Sequence, residues 1–181
     1  MQIRINSEPG LQKLLNSYLK RGEEIKKFIE KNGLKRFSYK KFVADLGEYY
    51  FYTYCNHLFI PGSLKQSEKA TAPYDFEGTF IRNQIFKKFW DRTCLIEVKT
   101  RHAQENDPYL LGIKLEKFQI LAFVFLNENY SCNYISLIDR DGLQGKITGK
   151  QNRLIFKDDN IEKIISSGNF EKIIPTKNKG V

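Results

Sequence analysis

The stretch Leu95-Ile96-Glu97-Val98-Lys99-Thr100-Arg101 poses a problem that few folds can solve. Side chains alternate along a strand. In a strand predicted over residues 93–101, Cys94, Ile96, Val98 and Thr100 share one face, and Leu95, Glu97, Lys99 and Arg101 share the other. Cys94, Leu95 and Ile96 are apolar on both faces, the mark of an interior strand. Yet the second face carries a carboxylate and an ammonium ~6–7 Å apart, two strand rises along. On an exposed edge strand the two would be a surface ion pair of little worth. In an interior strand uncompensated charge is expensive. A shared partner, with a divalent cation the strong candidate, would resolve the cost.

The flanking sequence suggests what surrounds this strand. Residues 7–33 have helix punctuation, with Ser7 as a cap, Pro9 in the first turn and Gly33 as the stop. Leu11, Leu14, Leu15, Tyr18 and Leu19 form one apolar stripe, and Ile25, Phe28 and Ile29 form another beyond Gly22. This reads as two helical pieces, or as one helix weakened at Gly22. A second helix is predicted over 38–58. Its aromatic half, Tyr49 to Cys55, suggests burial nearly all round. Strand competes for those aromatics, but the length and the upstream 3.6-residue rhythm favour helix. Residues 61–73 read as loop, 74–81 as strand, 82–92 as a basic link and 102–108 as polar loop. A short helix is predicted over 114–121. Strands follow over "AFVFLN" and 132–139, then a turn at "DRDG", a short strand or hairpin, a terminal helix and a frayed tail. The expected fold is α/β, with a mixed central sheet flanked by helices.

The chain has 181 residues and a formal charge of +9. Such a size implies one domain with its own core, here an N-terminal helical segment (1–37) and a core (38–181). The positive surplus suits either a polyanionic partner or a lysine-rich soluble surface. Cys55, Cys94 and Cys132 are odd in number and far apart, so reduced thiols are expected rather than a disulfide framework or zinc site. No leader-like start and no apolar run long enough for a membrane span is evident, which points to a cytoplasmic protein with no membrane partner.

Two further acids suit the strand. A hairpin from 74–81 to 93–101 would bring Asp75, at the start of the first strand, beside Glu97 and Lys99. Pro73 just before it sits where a missing backbone donor does no harm. Asp75 and Glu97 could then chelate one hard cation through oxygen. Glu48, on the aromatic helix, has Ala44, Asp45, Phe51 and Tyr52 as its neighbours at three and four residues. It either reaches solvent or serves a purpose, and Gly47 beside it permits close approach of another segment.

Glu48, Asp75 within "PYD" and the "EVK" of 97–99 together resemble the PD-(D/E)xK nuclease superfamily, which includes restriction endonucleases, junction resolvases and repair nucleases. The layout matches over roughly residues 40–140; Tyr74 separates Pro73 from Asp75, a departure from the literal dipeptide. The resemblance implies a restriction-endonuclease-like core and metal-dependent phosphodiester hydrolysis. Asp75 and Glu97 would hold Mg²⁺ (or Mn²⁺), with the Val98 carbonyl as a further ligand and Glu48 bound directly or through water. Lys99 would orient or deprotonate the attacking water. Gln119 matches a polar position that some members use near the site.

The basic link, with Arg82, Lys87 and Lys88, would bind flanking DNA phosphates together with Arg101, supplying affinity rather than sequence choice. His102 could touch the phosphate, and loops 61–73 and 102–112 could read bases. A type II restriction endonuclease is the leading reading. It would act as a homodimer or with a partner subunit, because a double-strand cut needs two sites; residues 7–33 are the expected dimer contact or DNA-facing arm. The alternatives are a junction-resolving or repair nuclease, and a non-catalytic nucleic-acid-binding protein in which the acid–lysine set is a structural ion network. The tyrosine-rich run could stack bases, though its spacing favours core.

Overall fold

The computed structural model describes residues 9–31, 40–68, 72–82, 86–103, 109–110, 112–148, 153–155 and 170–173. The helices are α1 (Pro9–Lys31), α2 (Lys40–Cys55) and a single turn, α3 (Arg140–Leu143). The strands are β1 (Lys65–Gln66), β2 (Phe76–Thr79), β3 (Thr93–His102), β4 (Tyr109–Leu110), β5 (Ile120–Leu126), β6 (Cys132–Asp139), β7 (Ile147–Thr148), β8 (Arg153–Ile155) and β9 (Phe170–Ile173). The architecture is α/β. A six-stranded sheet runs β1-β2-β3-β5-β6-β9, and a small sheet runs β4-β8-β7. In the large sheet only β3 and β5 pair in parallel; the other neighbours are antiparallel.

The two central strands explain the arrangement. In β5, every residue but Phe125 is buried, as a strand covered on both faces requires. Ile120, Ala122, Val124 and Leu126 join Cys94, Ile96 and Val98 in a core under α2. Leu121 and Phe123 join Ile113, Phe118, Ile138, Leu143 and Leu154 in a second core on the other face, with Leu95 packed against it. This corrects the helix predicted over 114–121. A tight 3-10 turn covers only Leu115–Lys117, and Ile120 begins β5. The apolar run through Leu126 demands two-faced burial, which a helix exposed on one side could not supply. The "DRDG" turn is α3, capped by the Asp139 side chain, which accepts a hydrogen bond from Gly142 N at 2.7 Å.

α1 runs unbroken past Gly22. Its expected apolar stripe is not buried where it is described: Leu14 and Tyr18 are exposed. The Tyr18 ring meets Phe42 of α2 at 4.7 Å. In α2 the helical reading holds, but burial is one-sided. Val43, Leu46, Tyr50, Phe51 and Cys55 face the core at helical spacing, while Tyr49 and Tyr52 remain 41% and 46% exposed. The terminal helix and tail expected near the C-terminus, and the expected cap and stop of α1 at Ser7 and Gly33, lie outside the described residues. No helix among the described residues is long and apolar enough to cross a membrane.

Gly47 seats α2 on β3. A Cβ there would stand 1.7 Å from Thr100 Oγ1 and 2.8 Å from Thr100 Cβ, so rotating the hydroxyl would not relieve the clash. Gly47→Ala should therefore destabilise the fold by about 1–3 kcal/mol in urea denaturation, as overpacking does, and Thr100→Ala in the same chain should restore part of the loss. An unchanged midpoint for Gly47→Ala would mean that α2 is not held this closely.

Candidate metal and phosphate site

The site begins with a length mismatch. β3 has ten residues and β2 has four, and their pairing ends at Phe76↔Ile96. One further bond, Asp75 N to Ile96 O at 2.9 Å, continues the ladder. Beyond it, among the described residues, the β2-facing groups of β3 have no strand opposite. A buried backbone donor left unpaired is costly. The Asp75 side chain takes this place: its Oδ2 accepts from Val98 N at 2.7 Å. By the two-residue alternation of ladder groups, the Val98 carbonyl opens toward the same edge.

Glu97 and Lys99 project from β3 on the face opposite α2 and form an ion pair, at 15% and 27% side-chain exposure. Glu48 comes from α2, and its Oε2 accepts from Gln66 Nε2 on the edge strand β1 at 2.7 Å. The hairpin and helix thus bring the four residues singled out in the sequence within electrostatic reach of one another. Burial pushes Glu48 above the usual carboxylate range; the charges of Asp75, Asp45 and Glu97 push the same way, and the Gln66 bond opposes them. Burial also raises Asp75, against the Val98 N–H and Lys99. Glu97 is raised by burial and by Asp75, against Lys99 and Lys114.

Three half-buried carboxylates, all raised by burial and two of them also by a neighbouring acid, are short of positive charge, and their oxygens are the hard donors that Mg²⁺ prefers. The donor set fits such an ion in kind. It is not assembled as a cage: among the described residues, no three His, Cys, Asp or Glu side chains form a metal-binding group. The cause is visible in the partners. Asp75 is turned to Val98 N, Glu97 to Lys99 and Glu48 to Gln66. Gathering the acids around one cation means exchanging some of these bonds for metal–oxygen bonds.

The residues expected to bind DNA are distributed differently. Arg101 shares the Glu97–Lys99 face, and Lys87 is exposed. Arg82 pairs with Asp91 at 2.5 Å on the open surface. Lys88 bridges Asp139 at 2.9 Å and Asp141 at 2.5 Å. His102 is not brought to the site. It is buried on the α2 side, its Nε2 3.1 Å from Glu128 O and its ring stacked on Tyr130 at 4.0 Å. Gln119 precedes β5 rather than sitting in a helix. It clamps Leu95, with Oε1 accepting from Leu95 N at 2.6 Å and its own N donating to Leu95 O at 2.9 Å.

The sequence reading missed Gln66 and Lys114. Gln66 looked like one polar residue in a loop, because the two-residue edge strand that carries it has no pattern of its own. Lys114 was only the first residue of the helix predicted over 114–121, and the fold brings its charge to Glu97. A cavity of about 330 Å³ adjoins Glu48, lined also by Asp45, Tyr49, Tyr52, Gln66 and Phe76. The chain matches no protein-family model, and a search of curated proteins returns no match.

Two outcomes follow from these contacts. Lys88→Met removes the cation from a carboxylate that is only 2% exposed, whereas Arg82→Ala breaks an exposed pair. In urea denaturation the first should cost about 1–3 kcal/mol and the second about 0.5 kcal/mol or less; equal costs would contradict Lys88 as the cation that compensates the buried Asp139. In EDTA, Glu48→Gln keeps an acceptor for Gln66 and removes one repelling charge, so its melting temperature should rise by roughly 2 °C. Adding Mn²⁺ should then stabilise the native sequence more than the variant; the reverse order would argue against Glu48 as a ligand.

Proposed function

We propose that this chain is a metal-dependent DNA endonuclease with a restriction-endonuclease-like core. The observation that carries the reading is the Asp75 carboxylate on the Val98 N–H, at the overhanging edge of the strand that bears Glu97 and Lys99. Asp75, Glu97 and the Val98 carbonyl would hold Mg²⁺, with Glu48 as a further ligand. When bound, the ion supplies an activated water and offsets charge on the phosphorane-like transition state.

The chain's own residues do the rest. Asp75 stays oriented by its backbone bond. Lys99 Nζ exchanges Glu97 for the attacking water or a phosphate oxygen, orienting the one and steadying the other. Arg101 on the same face and Lys87 in the basic link are suited to flanking phosphates, and the +9 charge favours the encounter with DNA. A type II restriction enzyme acting as a homodimer remains the leading form, with α1 and its exposed Leu14 and Tyr18 as the contact surface. A structure-selective nuclease of the junction-resolving or repair kind is the second reading. The aromatic cavity beside Glu48 favours it, because such a hollow suits DNA that is not fully paired.

Plasmid cleavage tests the activity. Supercoiled DNA should be cut with Mg²⁺ or Mn²⁺ and left intact in EDTA. Lys99→Ala should lower the rate by about 10²–10⁴-fold, the usual share of a positioned proton-transfer group. DNA that is retarded in a gel by every variant, yet never cut, would make the acid–lysine set a structural ion network in a binding protein.

A further inference from the structure

Tyr49 and Tyr52 are anomalous in α2. Their neighbours Tyr50 and Phe51 are buried, as aromatic residues in a core helix should be. Tyr49 and Tyr52 instead stay exposed on the wall of the cavity that also contains Glu48. The Tyr52 ring lies nearly parallel to the buried Phe76 ring, at 6.3 Å between centroids and 24° between planes. It is therefore backed by a ring fixed in the core, and its orientation is largely set before anything binds. Tyr49 leans edge-on against Tyr50 at 5.7 Å. The rest of the lining is polar, with Asp45, Glu48 and Gln66.

This combination selects among the parts of a nucleic acid. Two carboxylates repel a phosphate. They accept hydrogen bonds from the amino and imino groups on the edge of a base, while exposed aromatic faces stack on its plane. The cavity is continuous with the acidic site because Glu48 belongs to both. We propose that this cavity holds an unpaired nucleobase next to the phosphodiester gripped at Asp75, Glu97 and Lys99. The inference rests on the second, structure-selective form of the nuclease reading and narrows its substrate to DNA in which a base beside the cut is free of its partner. The surface charge draws the backbone in, and the acidic aromatic hollow takes the base rather than the phosphate.

Binding can be read without cleavage. Fluorescence anisotropy in EDTA compares the full chain on two labelled duplexes of the same sequence, one fully paired and one with a single bulged base. The bulged duplex should bind more tightly. Tyr52→Leu, which keeps apolar bulk but removes the ring, should weaken binding to the bulged duplex by about tenfold and leave the paired duplex unchanged. Tyr52→Phe should retain the preference, which separates loss of stacking from loss of folding. Equal weakening on both duplexes, or no change on either, overturns the proposal. The plasmid assay keeps the two readings apart. Cleavage without a bulge preference removes the base pocket and spares the enzyme. A bulge preference without Mg²⁺-dependent cleavage supports the pocket and removes the enzyme.

Discussion

A long strand beside a short one leaves backbone groups that something must satisfy, and the candidate site grows out of that need. β3 overhangs β2, and Asp75 closes the gap by bonding to Val98 N with its side chain. That one bond puts a carboxylate at the edge of the sheet, next to the strand that displays Glu97 and Lys99. On the other side of the same residue Ser67 N bonds to Asp75 O at 2.8 Å, extending the pairing with the edge strand β1, which carries Gln66 toward Glu48. The overhang itself depends on the two cores. β3 can run ten residues because its inner face packs under α2 and its neighbour β5 is buried on both sides.

The electrostatics of the site run against stability. Glu48, Asp75 and Glu97 are partly withdrawn from water, which raises the proton affinity of each, and Asp75 raises that of Glu48 and Glu97 further. At neutral pH a fold gains nothing from such crowding of like charge. Each acid is partly compensated from within the chain, Asp75 by a backbone donor, Glu97 by Lys99 and Glu48 by Gln66. Sites that bind cations or polyanions commonly carry local strain of this kind, since what destabilises the free protein strengthens the bound state. The contrast with Asp139 is instructive. That carboxylate is almost fully buried, yet it is met by Lys88 and by the Gly142 N–H, the arrangement expected of a structural acid.

α2 divides its aromatic residues by geometry. The core stripe takes Tyr50 and Phe51 and is pressed onto β3 through Gly47, whose missing side chain leaves room for that of Thr100 between helix and strand. The same rotation turns Tyr49 and Tyr52 outward and sets Glu48 at the border between them and the acidic edge. One helix thus contributes to the core, the charged site and the aromatic cavity beside it.

Local pattern was enough to identify β3, β6 and α2, the hairpin that joins Asp75 to Glu97, and the division of β3 into an apolar and a charged face. Alternation and helical period are properties of neighbouring residues, so they are written in the chain directly. They misread 114–121, where a strand buried on both faces has no alternation to distinguish it from a helix, and they overestimated the burial of Tyr49 and Tyr52. What only the tertiary structure decided were the partnerships. His102 turns to Glu128 and Tyr130, Gln119 clamps Leu95, Lys88 serves Asp139, and Gln66 and Lys114 come to the acids. These contacts join residues far apart in the chain, and which polar groups meet depends on the strand order and register that packing selects, a quantity no single segment encodes.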